Sequence, residues 1–189
     1  MKKKHSIYKY HFIFDKTVKS QVLKKSFKKY KNYSPKKTDI IIVAGGDGFM
    51  LRALKKLYKF KKPFYGINCG TIGFLMNKPE NLPLNKIIRK TKSFSINPLE
   101  VKVLNSNGKR FKMLAINEIS LFRQSRQTTI LNLRANGKNL VKRLVADGVL
   151  VSTPAGSTAY NLSVRGPILS LNSKKLAITP ISPFRPRRW

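Results

Sequence analysis

The sequence has few of the residues that build disulfides and metal sites. Cys69 is the only cysteine among 189 residues and there are two histidines, which excludes a disulfide framework and a cysteine-histidine zinc cluster. No apolar run approaches the roughly 20 residues that span a bilayer. The Lys-rich N-terminus is not followed by the apolar core of a signal peptide. We therefore expect a cytoplasmic protein that does not enter a membrane and holds no metal through its own side chains.

Carboxylates are also scarce. Seven Asp and Glu residues stand against 40 Lys and Arg, which gives a formal net charge of +33. A field of that sign attracts polyanions. Because the basic residues are mostly lysines scattered through every segment, we interpret them as compositional drift on a solvated surface. Dedicated nucleic-acid binding and steering of nucleotide phosphates remain the alternatives, and any nucleic-acid binding is expected to be nonspecific.

The first half of the chain alternates strands with helices. Residues 40–44 are apolar on both faces, as in a buried parallel strand, and an apolar stripe follows at helical spacing. Val18 and Val22 recur at helical spacing with Leu23 and Phe27, which predicts a helix with Asp15 or Thr17 as its possible cap. The other predicted elements are strands at 8–14 and 64–67 and helices at 17–30 and 82–89.

The second half changes to short strands and tight turns. Asn107-Gly108 and Asn136-Gly137 are dipeptides favoured by two-residue hairpins. The predicted strands cover residues 101–104, 111–116, 118–122, 129–134 and 149–152. We place an α/β domain at residues 1–95 and a β-rich domain at residues 96–189.

A glycine-rich loop, Gly45-Gly46-Asp47-Gly48, lies where the buried strand ends and the next helix begins. Open α/β sheets bind ligands at this position, and helix amides there hold phosphate. A carboxylate repels phosphate, so Asp47 suits a group that takes a proton from an attacking hydroxyl or approaches magnesium. The simpler alternative is a tight turn in which Asp47 caps the helix. No Walker-type phosphate loop is present.

Three further segments combine polar groups with turns. Residues 68–74 form a second glycine-punctuated loop, for which a structural turn is the simpler interpretation. Asn117-Glu118 interrupts a strand-like run, either as a binding pair or as a bulge or solvent-facing pair. Residues 147–160 hold a carboxylate, several hydroxyls and a tyrosine, which suit ribose and adenine contacts. That segment lacks G-x-S-x-G and a nearby histidine, which excludes a serine hydrolase.

Together these motifs resemble the NAD kinase family. The glycine-rich signature at 45–48 is shared with diacylglycerol and sphingosine kinases and phosphofructokinases, so a lipid kinase is the rival among enzymes. The combination with 68–75, 117–118 and 147–160, continuing through 161–168, is similar to NAD kinases specifically. The rival from another class is a basic nucleic-acid-binding protein.

The resemblance implies a Rossmann-like nucleotide-binding domain followed by a β-sandwich-like domain. It implies transfer of the terminal phosphoryl group of ATP or polyphosphate to the adenosine 2′-hydroxyl of NAD, which forms NADP. Asp47 would be the general base, and Gly46 and Gly48 would accept the phosphates. Magnesium would be carried by the nucleotide, and the protein would be a homo-oligomer, either a dimer or a tetramer.

The same resemblance assigns the dinucleotide contacts. Asn117 and Glu118 would hold the adenosine part, and Asp147 the nicotinamide-ribose end, which the family supplies across a subunit contact. Thr158 and Tyr160 would contact the adenine, and Ala159 between them would be a further cofactor-binding position. Phe74 and Ser163 match further pocket positions.

Two features depart from the family. Phe49 follows the glycine-rich loop where many relatives carry Thr, and we expect this to alter a phosphate contact only modestly. The family also continues well past the segment that resembles residues 178–189. We therefore expect that the β-rich domain is truncated, which leaves either a fragment or a family member with impaired activity.

Overall fold

The computed structural model describes residues 8–187. The Lys-rich first residues, His5, and Arg188 and Trp189 lie outside this range. The chain divides into two compact units, one formed by the residues up to Ser93 and the other by those from Phe94. Among the residues described, no helix combines the length and apolar character needed to cross a bilayer.

The first unit is a three-stranded parallel sheet with helices. The strands lie in the order β1-β2-β3 and all run in the same direction. Short 3₁₀ turns follow the first two helices. The elements are β1 (Tyr10–Phe14), α1 (Val18–Ser26), β2 (Ile40–Gly45), α2 (Asp47–Leu57), β3 (Phe64–Asn68) and α3 (Leu84–Lys90).

The central strand β2 forms the middle of the core. Every residue of β2 is buried, which confirms the predicted buried parallel strand. Ile41 and Val43 pack against Met50 and Ala53 of α2. The alternate side chains of β2 pack on the opposite side of the sheet, against aromatic rings of β1 and aliphatic side chains of α3. The two covered faces hold the carboxyl end of β2 in a fixed position.

Helix α1 presents only part of its apolar stripe to the core. Val18 and Val22 are 81% and 58% exposed. Ser20 is instead fully buried and donates its hydroxyl to a backbone carbonyl of β2 at 2.9 Å. The two valines are exposed because this hydrogen bond orients the helix, which Thr17 caps as one of the two predicted candidates. The apolar contacts to the core come from Leu23 and Phe27.

The second unit is built from antiparallel strands. One sheet has the order β10-β9-β6, and two separate hairpins pair β4 with β5 and β7 with β8. The predictions for β4, β5, β6, β7 and β9 are confirmed with ends shifted by at most two residues, whereas β8 and β10 were not predicted. The elements are β4 (Leu99–Leu104), β5 (Arg110–Ala115), β6 (Glu118–Phe122), β7 (Thr129–Ala135), β8 (Lys138–Ala146), β9 (Gly148–Ser152), α4 (Tyr160–Ser163) and β10 (Ala177–Ile181).

The two hairpin turns differ. Asn136 and Gly137 both have positive φ, 50° and 78°, which confirms the two-residue turn predicted there. In the other hairpin the connection between β4 and β5 is longer than predicted, because the side chain of Asn105 organises it. Its Oδ1 accepts the N–H groups of Asn107 and Lys109 at 3.1 and 2.8 Å.

Candidate functional site

The glycine-rich loop lies at the carboxyl edge of the parallel sheet. Gly45 ends β2 and its carbonyl accepts the N–H of Cys69 at 2.8 Å, which joins the loop to the segment after β3. Gly46 is the N-cap of α2, and Asp47 is the first helical residue. The alternative in which Asp47 caps this helix is therefore wrong. Its carboxylate instead accepts hydrogen bonds from the loop after β3.

The carboxylate of Asp47 binds the second glycine-rich loop. Oδ2 accepts the N–H of Phe74 at 2.8 Å, and Oδ1 accepts the N–H of Leu75 at 3.0 Å. An ionised carboxylate has about four lone-pair positions, so two remain for other donors. The structure thus brings Asp47 together with Phe74, as two of the predicted site residues. The side chain of Phe74 itself is 55% exposed.

Gly46 and Gly48 border open space. A methyl group at either position would meet no other atom within 4 Å, and neither residue has a positive φ. Gly46 is extended, with φ −104° and ψ 179°. The fold of this unit therefore does not need glycine at these two positions. Glycine at both positions leaves open the space that a side chain would occupy at the start of α2.

Asn117 and Glu118 lie at the start of β6. Glu118 pairs with Ser152 in regular register, so the bulge that the sequence left open is absent at this point. The carbonyl of Asn117 accepts the N–H of Thr153 at 2.8 Å. A methyl group at Gly156 would lie 2.2 Å from the same carbonyl oxygen, so glycine is needed for this close approach.

The side chains of these two residues carry buried acceptors without donors. Within residues 8–187, neither Asn117 Oδ1 nor Glu118 Oε2 has a hydrogen-bond partner, although both atoms are buried. Burial raises the pKa of the Glu118 carboxyl above its ordinary value. Buried polar atoms are rarely left unpaired, because each costs the desolvation of a polar group. The pair therefore fits a ligand that brings hydrogen-bond donors.

Asp147 lies at the corner between β8 and β9. Its N–H donates to Ile181 O at 3.0 Å, and its carbonyl accepts the N–H of Arg123 at 2.9 Å. Arg123 Nε also donates to Asp147 Oδ1 at 2.5 Å. No motif in the sequence points to Arg123. Only the pairing of Phe122 with Gly148 shows that Arg123 and Asp147 are opposite each other.

The hydroxyls of residues 152–157 have a different role from the one expected. Ser152, Thr153 and Ser157 are all buried and hydrogen-bond to nearby backbone groups. These hydroxyls support the loop and are not free for a ribose, so that part of the interpretation was wrong. Of the predicted pocket residues, Thr158 is half-buried and Ala159 is exposed.

The rest of the predicted adenine pocket lies on the surface at α4. Tyr160 begins this short helix and is 40% exposed. Ser163 ends it, is exposed, and donates its hydroxyl to Tyr160 O at 2.8 Å. Thr158, Ala159, Tyr160 and Ser163 are thus neighbours on one loop-helix segment.

The buried side chain of Asn161 anchors the segment that carries Thr158 and Tyr160. Asn161 Nδ2 donates to Ser157 O at 3.2 Å and to Pro167 O at 2.9 Å. Asn161 Oδ1 accepts the hydroxyl of Thr179 in β10 at 2.7 Å. Since Asn161 is fully buried, these three bonds fix the loop that carries Thr158 and Tyr160.

Metal-ligating side chains do not cluster among residues 8–187. Within the described residues, no group of three or more His, Cys, Asp or Glu side chains is placed to hold a metal ion. Cys69 is buried, and burial raises the pKa of its thiol. Its sulfur lies 3.6 Å from Ile67 O.

Comparison with known proteins identifies relatives along most of the chain. The N-terminal domain profile of ATP-NAD kinase matches residues 3–89, and the C-terminal domain profile matches residues 116–188. The NAD kinase of Zymomonas mobilis subsp. mobilis is 49% identical over 178 residues, which cover 92% of this chain and 68% of the relative. The NAD kinase of Rhizobium meliloti is 48% identical, with 85% of this chain and 62% of the relative covered.

Solved structures of similar fold are also found. An NAD kinase from Archaeoglobus fulgidus in complex with ATP has a TM-score of 0.70 and 28% identity over 94% of this chain and 73% of its own. Yeast NADH kinase complexed with NADH has a TM-score of 0.66 and 27% identity over 85% of this chain and 50% of its own. These neighbours confirm the predicted Rossmann-like unit followed by a β-rich unit.

The chain spans about 62% of the length of its Rhizobium relative, and 68% of the Zymomonas one. Both halves of the chain nevertheless match profiles of one family, in the predicted order. The identity to full-length relatives approaches one residue in two. This chain belongs to the NAD kinase family.

Proposed function

We propose that this protein transfers the terminal phosphoryl group of ATP or polyphosphate to the 2′-hydroxyl of the adenosine ribose of NAD, and so forms NADP. The family supports this assignment, since the similar curated proteins are named NAD kinase. One similar solved structure contains ATP and another contains NADH. The chemistry of the site residues supports it independently.

The observation that carries the proposal is the pair of buried acceptors at Asn117 and Glu118. Oδ1 of one and Oε2 of the other have no donor among the described residues. The adenosine part of NAD offers two donors besides the reacting 2′-hydroxyl, namely the ribose 3′-hydroxyl and the adenine amino group. Binding it would replace two unpaired buried atoms with hydrogen bonds, each worth about 0.5–1.5 kcal/mol net.

Asp47 is proposed as the general base. The amides of Phe74 and Leu75 hold its two oxygens in place, and each oxygen retains a lone pair. It would accept the proton of the 2′-hydroxyl while that oxygen bonds to the terminal phosphorus. The bond from phosphorus to the bridging oxygen breaks, and ADP or a shortened polyphosphate leaves with the electron pair.

Gly46 and Gly48 are proposed to receive the donor phosphates. Open space surrounds both residues at the start of α2, where backbone N–H groups and the helix dipole favour anions. In the second unit, Asp147, Thr158, Ala159, Tyr160 and Ser163 remain the proposed dinucleotide contacts.

The residues do not form a magnesium cage of their own. The part of the chain that the structure describes has no cluster of three metal-ligating side chains, and both Asp47 oxygens accept amides. Magnesium bound to the nucleotide would neutralise phosphate charge during transfer. A homo-oligomer, dimer or tetramer, and a cytoplasmic location also remain proposals.

The direct test is NADP formation by this chain, measured with an NADP-specific dehydrogenase in separate reactions with ATP and polyphosphate. We expect NADP with at least one donor, dependent on NAD. Calorimetric titration with NAD provides a second readout that needs no turnover. Absence of NADP with both donors, in a protein that is folded, would overturn the proposed activity.

A further inference from the structure

Arg123 and Asp147 extend the ladder between β6 and β9 by one residue pair. Phe122 pairs with Gly148, and the next backbone bond joins Arg123 N to Asp147 O at 2.9 Å. Side chains of directly opposed residues project from the same face of a sheet. The ladder therefore aligns the guanidinium with the carboxylate before the ion pair forms.

The contact between the two side chains is directional. Arg123 Nε donates to Asp147 Oδ1 at 2.5 Å, and Nη1 of the same guanidinium donates to the carbonyl of Ser125. Both charged side chains are about three-quarters buried, at 27% and 25% relative exposure. A planar guanidinium held at two atoms has little freedom, so it fixes the rotation of the carboxylate.

One oxygen of Asp147 is left for a ligand. Within residues 8–187, the hydrogen bonds of this carboxylate all go to Oδ1, and Oδ2 has no donor. The side chain is partly exposed, at 25%. Arg123 thus orients the carboxylate through Oδ1, and Oδ2 can accept a hydrogen bond from a second donor.

The arginine also changes the charge that a ligand meets. A bare carboxylate would repel the phosphates of a dinucleotide, whereas an ion pair is close to neutral as a whole. Asp147 can then accept a hydroxyl hydrogen bond without repelling a phosphate several ångströms away.

We infer that Arg123 is a positioning residue for dinucleotide binding, which holds Asp147 so that Oδ2 accepts a hydroxyl of the NAD ribose. This inference rests on the proposed NAD kinase function. It assigns Arg123 no contact with the reacting atoms.

The test compares Arg123→Gln, Arg123→Lys, Asp147→Asn and the double variant Arg123→Gln/Asp147→Asn with the unmodified chain. KM for NAD, KM for the donor, kcat and the NAD dissociation constant from calorimetry are measured for each. Arg126→Gln is the matched control, because Arg126 is exposed on the same loop.

We expect Arg123→Gln to raise KM and Kd for NAD about tenfold, the effect of losing one well-made hydrogen bond to a charged group. The donor KM and kcat should stay within about twofold of the values for the unmodified chain, because Arg123 does not contact the reacting atoms. The KM and Kd for NAD of Arg123→Lys should lie between those of the unmodified chain and Arg123→Gln. The lysine ammonium keeps the charge but cannot contact Asp147 and Ser125 with the fixed geometry of a guanidinium. The double variant should match Asp147→Asn alone, because both changes remove the same contact.

Additive effects in the double variant would overturn the inference, because Arg123 would then act independently of Asp147. A lowered melting temperature with unchanged NAD affinity would also overturn it and leave a structural ion pair. Normal NAD affinity in Asp147→Asn would overturn the role of Asp147 while the kinase activity stands. If the unmodified chain binds NAD but forms no NADP, the proposed function fails, and the calorimetric series still decides the role of Arg123.

Discussion

The carboxylate of Asp47 accepts the backbone N–H of Phe74 at 2.8 Å, across 27 residues of sequence. This bond and its neighbour at Leu75 tie the loop after β3 to the start of α2. The carboxylate proposed for proton transfer therefore also holds together two glycine-rich loops.

Asp47→Asn is expected to slow NADP formation by at least about a hundredfold, the lower range for loss of a general base. The amide keeps one acceptor but points a donor at a second N–H, so loop order should also fall slightly. Steady-state kinetics with saturating NAD and donor measure the first effect.

Asp39→Asn is the control for that variant. Asp39 precedes β2, whereas Asp47 follows it, and Asp39 Oδ2 likewise accepts a backbone N–H, from Lys9 at 2.8 Å. We expect normal turnover in Asp39→Asn. Equal losses of turnover in both variants would show that the carboxylates around β2 act through folding. Near-normal turnover in Asp47→Asn would show that Asp47 is not the general base.

Gly48→Ala is expected to fold normally and to raise the donor KM. A methyl group there meets no atom within 4 Å, and Gly to Ala inside a helix stabilises by about 0.5–1 kcal/mol. Any loss of donor affinity, about tenfold if one phosphate contact is blocked, then reports a ligand and not the fold. Gly148→Ala gives the contrast, since its methyl group would lie 2.2 Å from Leu121 O and should destabilise the protein. Unchanged donor kinetics in Gly48→Ala would separate this glycine from phosphate binding.

Glu118→Gln is expected to raise the free energy of unfolding at neutral pH. Burial raises the pKa of Glu118, so the folded state binds its proton more tightly than the unfolded state does. Stability from this group is present below about pH 4.3, the ordinary Glu value, and is lost as pH rises through the folded pKa. The advantage of the variant should therefore be absent at low pH and grow as pH rises, as measured by urea unfolding across that range.

Glu100→Gln should behave in the opposite way. Hydrogen bonds and ion pairs with Lys112 and Lys102 lower the pKa of Glu100, so its contribution is present at neutral pH and disappears on acidification. This variant should be less stable than the unmodified chain at neutral pH and equal to it in acid. The same sign for both variants would refute the assignment of Glu118 as a carboxyl with a buried, unpaired oxygen.

Nucleic-acid binding, if present, is expected to be nonspecific and to weaken steeply with salt. A net charge of +33 carried mainly by scattered lysines releases counterions without reading bases. Fluorescence anisotropy with two duplexes of different sequence should give equal affinities that fall in parallel between about 50 and 200 mM salt. A sequence preference that persists at the higher salt would favour the nucleic-acid-binding alternative.

Local patterns were sufficient where one segment determines the structure. Residues 40–44 are apolar on both faces, and only a strand covered on both sides buries all of them. The turn at Asn136 and Gly137 follows from the tolerance of these residues for positive φ. The glycine-rich loop after β2 was recognised for the same local reason.

Other features depend on distant partners. Strand β10 contains Pro180, which argues against a strand, yet among residues 8–187 β10 pairs only with β9, and an edge strand tolerates proline. Strand β8 carries several charged residues that hide its alternation. Two contacts depend on which elements are neighbours in the fold: the bond from Ser20 to β2, and the pairing of Arg123 with Asp147. No short segment of sequence shows which elements are neighbours.

The bond from Thr179 to Asn161 has a consequence for the order in which the protein acquires its shape during synthesis. Strands β1, β2 and β3 are complete once Asn68 has left the ribosome, so the parallel sheet can form early. The loop that carries Thr158 and Tyr160 gains its anchor only after residue 179 has emerged. Nascent chains released before that point should therefore contain a formed α/β unit, whereas the loop at residues 158–160 still lacks its anchor.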